Sequence, residues 1–145
     1  MKKFLLVSIF SLVTTLIYAQ TLPSWIRMGM SVEQIRRSFN GNLTMEIGQS
    51  GSIRNFIFLS GNEHNQRYEF WIHPQVGLIQ VILFEEYTIA TFNSIISSLR
   101  LRYGNPEFEE GEYYFLLNLP DNIEEIVVDV QDGFIEVIYV FENYP

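Results

Sequence analysis

The sixteen residues from Thr88 to Tyr103 constrain the fold of this chain more than any other stretch. Ile89, Phe92, Ile95, Ile96, Leu99 and Tyr103 recur at steps of three and four, the period of a helix with one apolar face. Arg100 and Arg102 fall in its last turn, where positive charge suits the carbonyl end of the helix dipole. Gly104 then offers a left-handed cap, and Pro106 prevents continuation. An amphipathic helix of this length needs an apolar layer to lie on. A closed all-β barrel has trouble placing it, so the remaining segments must build an open surface.

A second, shorter helix is predicted near 31–39. Ser31-Val32-Glu33-Gln34 has the form of a capping box, in which hydroxyl and amide side chains satisfy each other's free N–H groups. Met30 and Ile35 are placed as a hydrophobic staple, Val32, Ile35 and Phe39 form the apolar stripe, and Asn40-Gly41 is expected to end the helix. The remainder reads as strands: 43–47 and 53–59 around a Gly-Gln-Ser-Gly turn, then 67–73, 78–86, 112–119, 123–130 and 134–142. Asp132-Gly133 is the preferred pair for a tight type I′ hairpin. The order is thus α-ββββ-α-βββ. Hairpin links imply antiparallel pairing, so the fold class is α+β: a curved antiparallel sheet with two helices on one face. The order also looks like a degenerate duplication of a helix-plus-meander unit.

The first nineteen residues are read separately. Lys2 and Lys3 precede an apolar run from Phe4 to Ile17, and Tyr18-Ala19-Gln20 offers a small residue for cleavage. That pattern is a secretory signal peptide, too short in its apolar part to span a bilayer. The expected organisation is a signal peptide over 1–19 and a single α+β domain over 20–145, in the periplasm or secreted. Beyond Ala19 the chain keeps no lysine, 7 arginines and all 17 acids, a formal charge of 7 − 17 = −10. Such a chain is repelled by nucleic-acid phosphates and anionic lipid surfaces. There are no cysteines, which excludes disulfides, thiol catalysis and a lipid-bearing N-terminal cysteine. The 12 Phe, 8 Tyr and 2 Trp supply large areas for a core that must hold without cross-links.

Chemistry-bearing constellations are sparse. His64 lies in a polar turn-like stretch and His73 ends a strand before Pro74. Two histidines without cysteines do not suggest a metal site. Ser94, Ser97 and Ser98 are helical and no nucleophile elbow surrounds them. Glu107, Glu109, Glu110 and Glu112 cluster in what reads as a connecting loop, a solvated charge face. No catalytic residue, cofactor or metal is expected. Dispersed carboxylates such as Glu69 and Glu136 leave an envelope hydrolase as the alternative.

The suggestive feature is the second face of the sheet. Alternation sends Ile126, Val128, Val130, Ile135, Val137, Tyr139 and Phe141 toward the helices. The opposite face then carries Glu125, Val127, Asp129, Phe134, Glu136, Ile138 and Val140, with Trp71, His73, Tyr114 and Leu116 as candidate additions from neighbouring hairpins. Apolar residues interleaved with acids on a helix-free face suggest recognition of a protein. Trp71, Tyr114, Phe134 and Ile138 are the expected anchors, with Glu136 and His73 near the rim. The competing reading is that the face is covered, by a second copy or by residues 21–28 with Trp25.

Arg27-Met28-Gly29-Met30-Ser31-Val32-Glu33-Gln34-Ile35 resembles the opening of the SmpA/OmlA family of small outer-membrane-assembly lipoproteins, and the related β-lactamase-inhibitor-protein-like domains look similar. Leu101-Arg102-Tyr103-Gly104-Asn105-Pro106 is similar to the helix-ending Tyr-Gly-x-Pro of such small exported domains. The chain departs from the family in lacking a lipidated cysteine and a proline after the first helix. The resemblance implies two helix-plus-sheet repeats and a non-catalytic, protein-binding module of the envelope. It names no partner, and self-association remains open.

Overall fold

A computed structural model describes residues 22–120 and 122–141. The signal-peptide reading over 1–19 lies outside the described residues. The elements are α1 (Val32–Ser38), β1 (Leu43–Ser50), β2 (Ile53–Glu63), β3 (Gln66–His73), β4 (Gly77–Glu86), α2 (Ile89–Tyr103), β5 (Glu107–Glu109), β6 (Glu112–Phe115), β7 (Ile123–Gln131) and β8 (Phe134–Phe141).

Both helices begin as their sequences dictate. Gln34 N–H donates to Ser31 Oγ at 3.2 Å and Ser31 N–H donates to Gln34 Oε1 at 2.8 Å, the reciprocal capping box. Thr88 caps α2 by accepting from Thr91 N–H at 3.0 Å. Gly104 ends α2 at φ 84°, its N–H donating to Arg100 C=O at 2.9 Å. α1 ends one step earlier than Asn40-Gly41 suggests, because Phe39 turns extended to drop its ring into the core. Asn40 N–H is then satisfied by the buried carboxylate of Glu63 at 2.7 Å.

The strands form one open antiparallel sheet in the order β1-β2-β3-β4-β8-β7-β6-β5. Each half of the chain is a helix followed by four strands, and the last strands of the two halves, β4 and β8, pair at the centre. Residues expected as a loop supply the extra strand: Glu107–Glu109 pairs with Glu112–Tyr114, closed by Glu110 and Gly111 at φ 52° and 97°. Three residues are too few to show an alternation, which is why β5 is not legible in sequence. Conversely, strand 112–119 stops at Phe115, and Leu116 and Leu117 are exposed outside any strand. Asp132 and Gly133, at φ 50° and 82°, make the expected tight hairpin.

One apolar cluster joins both helices to one face of the sheet. Ile35 and Phe39 from α1 and Ile95, Ile96 and Leu99 from α2 meet Leu59, Phe70, Val81, Val137 and Ile126 in it. Ile89, assigned to the stripe of α2, is exposed at the helix start, and Val130 is exposed near the β7–β8 hairpin. The segment 22–30 packs on this same side. The Trp25 ring lies 6.3 Å from Phe39 and 6.1 Å from Phe70. It therefore does not cover the opposite face. No helix among the described residues is long and apolar enough to cross a membrane.

Candidate functional site

The register lays out the helix-free face as rows running across the strands. One row reads Glu46, Phe58, Trp71, Gln80, Val140, Glu125. The next reads Thr44, Ser60, Glu69, Ile82, Ile138, Val127, Tyr114, Glu107. A third reads Asn62, Arg67, Phe84, Glu136, Asp129. The centre is an apolar strip, Ile82–Ile138–Val127, in which Ile82 and Val127 are each only 6% exposed despite having no helix over them. Neither belongs to the main core cluster.

Trp71 is half-buried in this face. Its Nε1–H donates to Glu69 Oε1 at 2.6 Å, and its ring meets Phe58 edge-on at 5.1 Å and Phe56 at 6.2 Å. A cavity of about 190 Å³ opens beside it, lined by Ser50, Phe56, Trp71, Ile79, Gln80 and Val140. Ile138 lies at the middle of the strip, and Tyr114 extends the same row. The Tyr114 hydroxyl donates to Glu112 Oε2, and this bond pushes its pKa up to about 12. Phe134, 40% exposed, sits at the hairpin end of β8. It is six residues from Val140, the member of Trp71's row on that strand, so roughly 20 Å separates the two anchors at ~3.4 Å per residue.

His73 is not a rim residue. It is 8% exposed, and its Nδ1 accepts from Gln75 N–H at 3.1 Å and Val76 N–H at 3.2 Å. The imidazole thus holds the turn into β4 and packs 6.0 Å from Phe56. Residues that sequence reasoning left out are Phe56, Phe58, Ile82 and Phe84. β2 and β4 are apolar on both faces, so alternation within them carries no sign of which side faces out.

The carboxylates of the face feel one another. Burial raises the Glu136 pKa, and Asp129 and Glu69 raise it further against a smaller opposing pull from Arg67. Burial also raises Glu125, with Glu124 and Glu112 adding to it. On the helix side, Glu85 is raised by burial alone. A carboxyl whose folded pKa exceeds its unfolded value favours folding fully below that unfolded value, here 4.5, and the benefit is lost as pH rises through the folded value. The melting temperature is therefore expected to climb as pH is lowered from about 7.5 toward about 5, with Glu136→Gln reducing the climb. A melting temperature that falls steadily over that interval contradicts this assignment.

On the helix side, a larger cavity of about 470 Å³ lies between the segment 22–28, the end of α2 and the β7–β8 edge, with Tyr103, Tyr139 and Phe141 in its wall. Among the described residues no group of three or more histidines and acids is arranged to hold a metal ion. Compared with protein-family models, with curated proteins and with solved structures, the chain matches none.

Proposed function

We propose that this chain is an exported, non-enzymatic module of the cell envelope that binds another protein on the helix-free face of its sheet. The observation that carries the reading is the set of half-buried apolar groups Phe58, Trp71, Ile138 and Val140 around the buried Ile82 and Val127, on the side opposite both helices. An antiparallel sheet ordinarily packs one face and solvates the other. Here the side that should be polar carries aromatic and aliphatic groups, the residue types that dominate binding hot spots. The lysine-led apolar N-terminus motivates export to the periplasm or beyond. Two halves of like element order, meeting at β4 and β8, support a degenerate duplication and keep the SmpA/OmlA-like reading as a proposal.

The hydrolase alternative has less behind it. Glu69 and Glu136 stand on β3 and β8 with β4 between them, roughly 10 Å or more apart at ~4.8 Å per strand. The cavity on this face is lined by no carboxylate.

Trp71→Ala and Phe134→Ala are each expected to weaken partner binding by ~2 kcal/mol, about thirtyfold, the scale of aromatic hot spots. The partner is to be recovered by cross-linking in envelope extract and its affinity measured with purified components. Phe134→Ala leaves the fold intact by circular dichroism, since the ring is exposed at a hairpin end. Undiminished binding by both variants would place the interface elsewhere.

A further inference from the structure

The partner's chemistry is readable from how charge is distributed, an inference that rests on the protein-binding reading of this face. The three rows contain six carboxylates, those of Glu46, Glu69, Glu107, Glu125, Asp129 and Glu136, and a single cation, Arg67. Arg67 is turned onto the Phe84 ring, 4.3 Å from its centroid, and makes no ion pair among the described residues. Asp129 and Glu136 stand directly opposite each other across β7 and β8, and Glu109 and Glu112 do the same across β5 and β6. Like charges in directly opposed positions are destabilising in a sheet. The fold keeps two such pairs on one face, with Arg67 the one cation of the three rows to offset them.

The arginines are elsewhere. Arg27 lies on the N-terminal segment, Arg36 and Arg37 on α1, and Arg100 and Arg102 on α2, all elements that pack on the other side of the sheet, while Arg54 stands near the start of β2, outside the three rows. Charge is thus segregated, with the apolar strip lying inside the acidic half. Two copies meeting face to face would oppose acid to acid, and phosphate-bearing lipid or nucleic acid would be repelled.

We propose that the helix-free face receives a lysine- and arginine-rich segment of another protein, whose apolar side chains lie on the half-buried Phe58, Trp71, Ile138 and Val140 while its cations pair with Glu69, Glu125 and Glu136. The cations relieve the repulsion that the isolated fold tolerates, and the half-buried apolar groups supply the contact that makes the encounter stick. Complementarity of this kind governs the rate and choice of partner more than raw affinity.

The test is a selection of displayed random peptides on the purified protein, keeping those that lose binding to Trp71→Ala. These peptides are expected to carry excess Lys and Arg alongside aliphatic or aromatic residues. Their affinity should fall at least about tenfold for the triple variant Glu69→Gln, Glu125→Gln, Glu136→Gln, and similarly when salt is raised to roughly 0.5 M, where exposed charges are screened. Trp71-dependent peptides with no cationic excess, or with no response to the triple variant, overturn the cationic inference and leave the protein-binding reading standing. Failure to recover any Trp71-dependent peptide removes both. Sedimentation of the protein alone supplies the remaining outcome. Concentration-dependent association lost on Phe134→Ala would assign the face to a second copy, docked through its arginine-bearing side, and overturn the inference.

Discussion

Leu99→Asp is expected to unfold this domain. Leu99 is 3% exposed on the inner side of α2, in the same apolar cluster as Ile95, Ile96, Phe115, Ile126 and Val128. An unpaired carboxylate there costs several kcal/mol on top of the lost packing, against a total stability of roughly 5–15 kcal/mol for a domain of this kind. Leu101, two residues along and 82% exposed, points away from the sheet. Leu101→Asp should therefore change stability by less than ~0.5 kcal/mol. Far-ultraviolet circular dichroism with urea titration of the pair gives the answer. A folded Leu99→Asp with an unshifted midpoint would mean that α2 does not face the sheet through this residue.

Gly77→Ala is the second large effect, and it acts through the backbone. Gly77 opens β4 at φ 90°, a region L-residues avoid, and an added Cβ would stand 2.3 Å from the carbonyl oxygen of Gly29. That close approach exists because the N-terminal segment is hydrogen-bonded onto β4. Gly29 N–H donates to Leu78 C=O at 2.8 Å, and Leu78 N–H donates to Met30 C=O at 2.9 Å. The three nearest atoms, O, C and Cα of Gly29, all belong to backbone, so no side-chain rotation relieves the clash. Alanine must strain its own φ, at ~1–3 kcal/mol, and push residues 22–30 off the sheet, taking the buried Ile26 and the Trp25 contacts with them. A total loss of ~3–5 kcal/mol is expected, at the upper end for single substitutions. Proteolysis should cut the variant ahead of α1, and Trp25 fluorescence should shift toward that of a wet indole. Wild-type urea stability in Gly77→Ala would show that this segment is not docked as described.

The helices were legible because their signals are local. A capping box, a Thr cap and a glycine stop each act within a few residues, so Ser31, Thr88 and Gly104 declare themselves without reference to the rest of the chain. The same holds for the Asp132-Gly133 hairpin. The faces of β7 and β8 were legible because Ile126, Val128, Val137 and Tyr139 alternate against Glu125, Asp129 and Glu136, and a register slip would bury the acids. This placed Glu136, Ile138 and Phe134 together on one side of the sheet.

Sequence was silent where the signal is shared or distant. β4 is apolar at every position from Leu78 to Phe84 except Gln80, so nothing along it distinguishes Val81, which faces the helices, from Ile82, which faces out. His73 reads as a strand-end residue. Its burial follows from the turn it caps and from Phe56, seventeen positions earlier. β5 is three residues of mostly acid, and only pairing with β6 makes it a strand. The central pairing of β4 with β8 joins segments separated by α2 and three further strands, and hydrophobic periodicity carries no address for so distant a partner. Local propensity and alternation are written within ten residues or so. Which strands become neighbours, and hence which acids are forced to face each other across Asp129 and Glu136, is set by burying both helices against one continuous sheet.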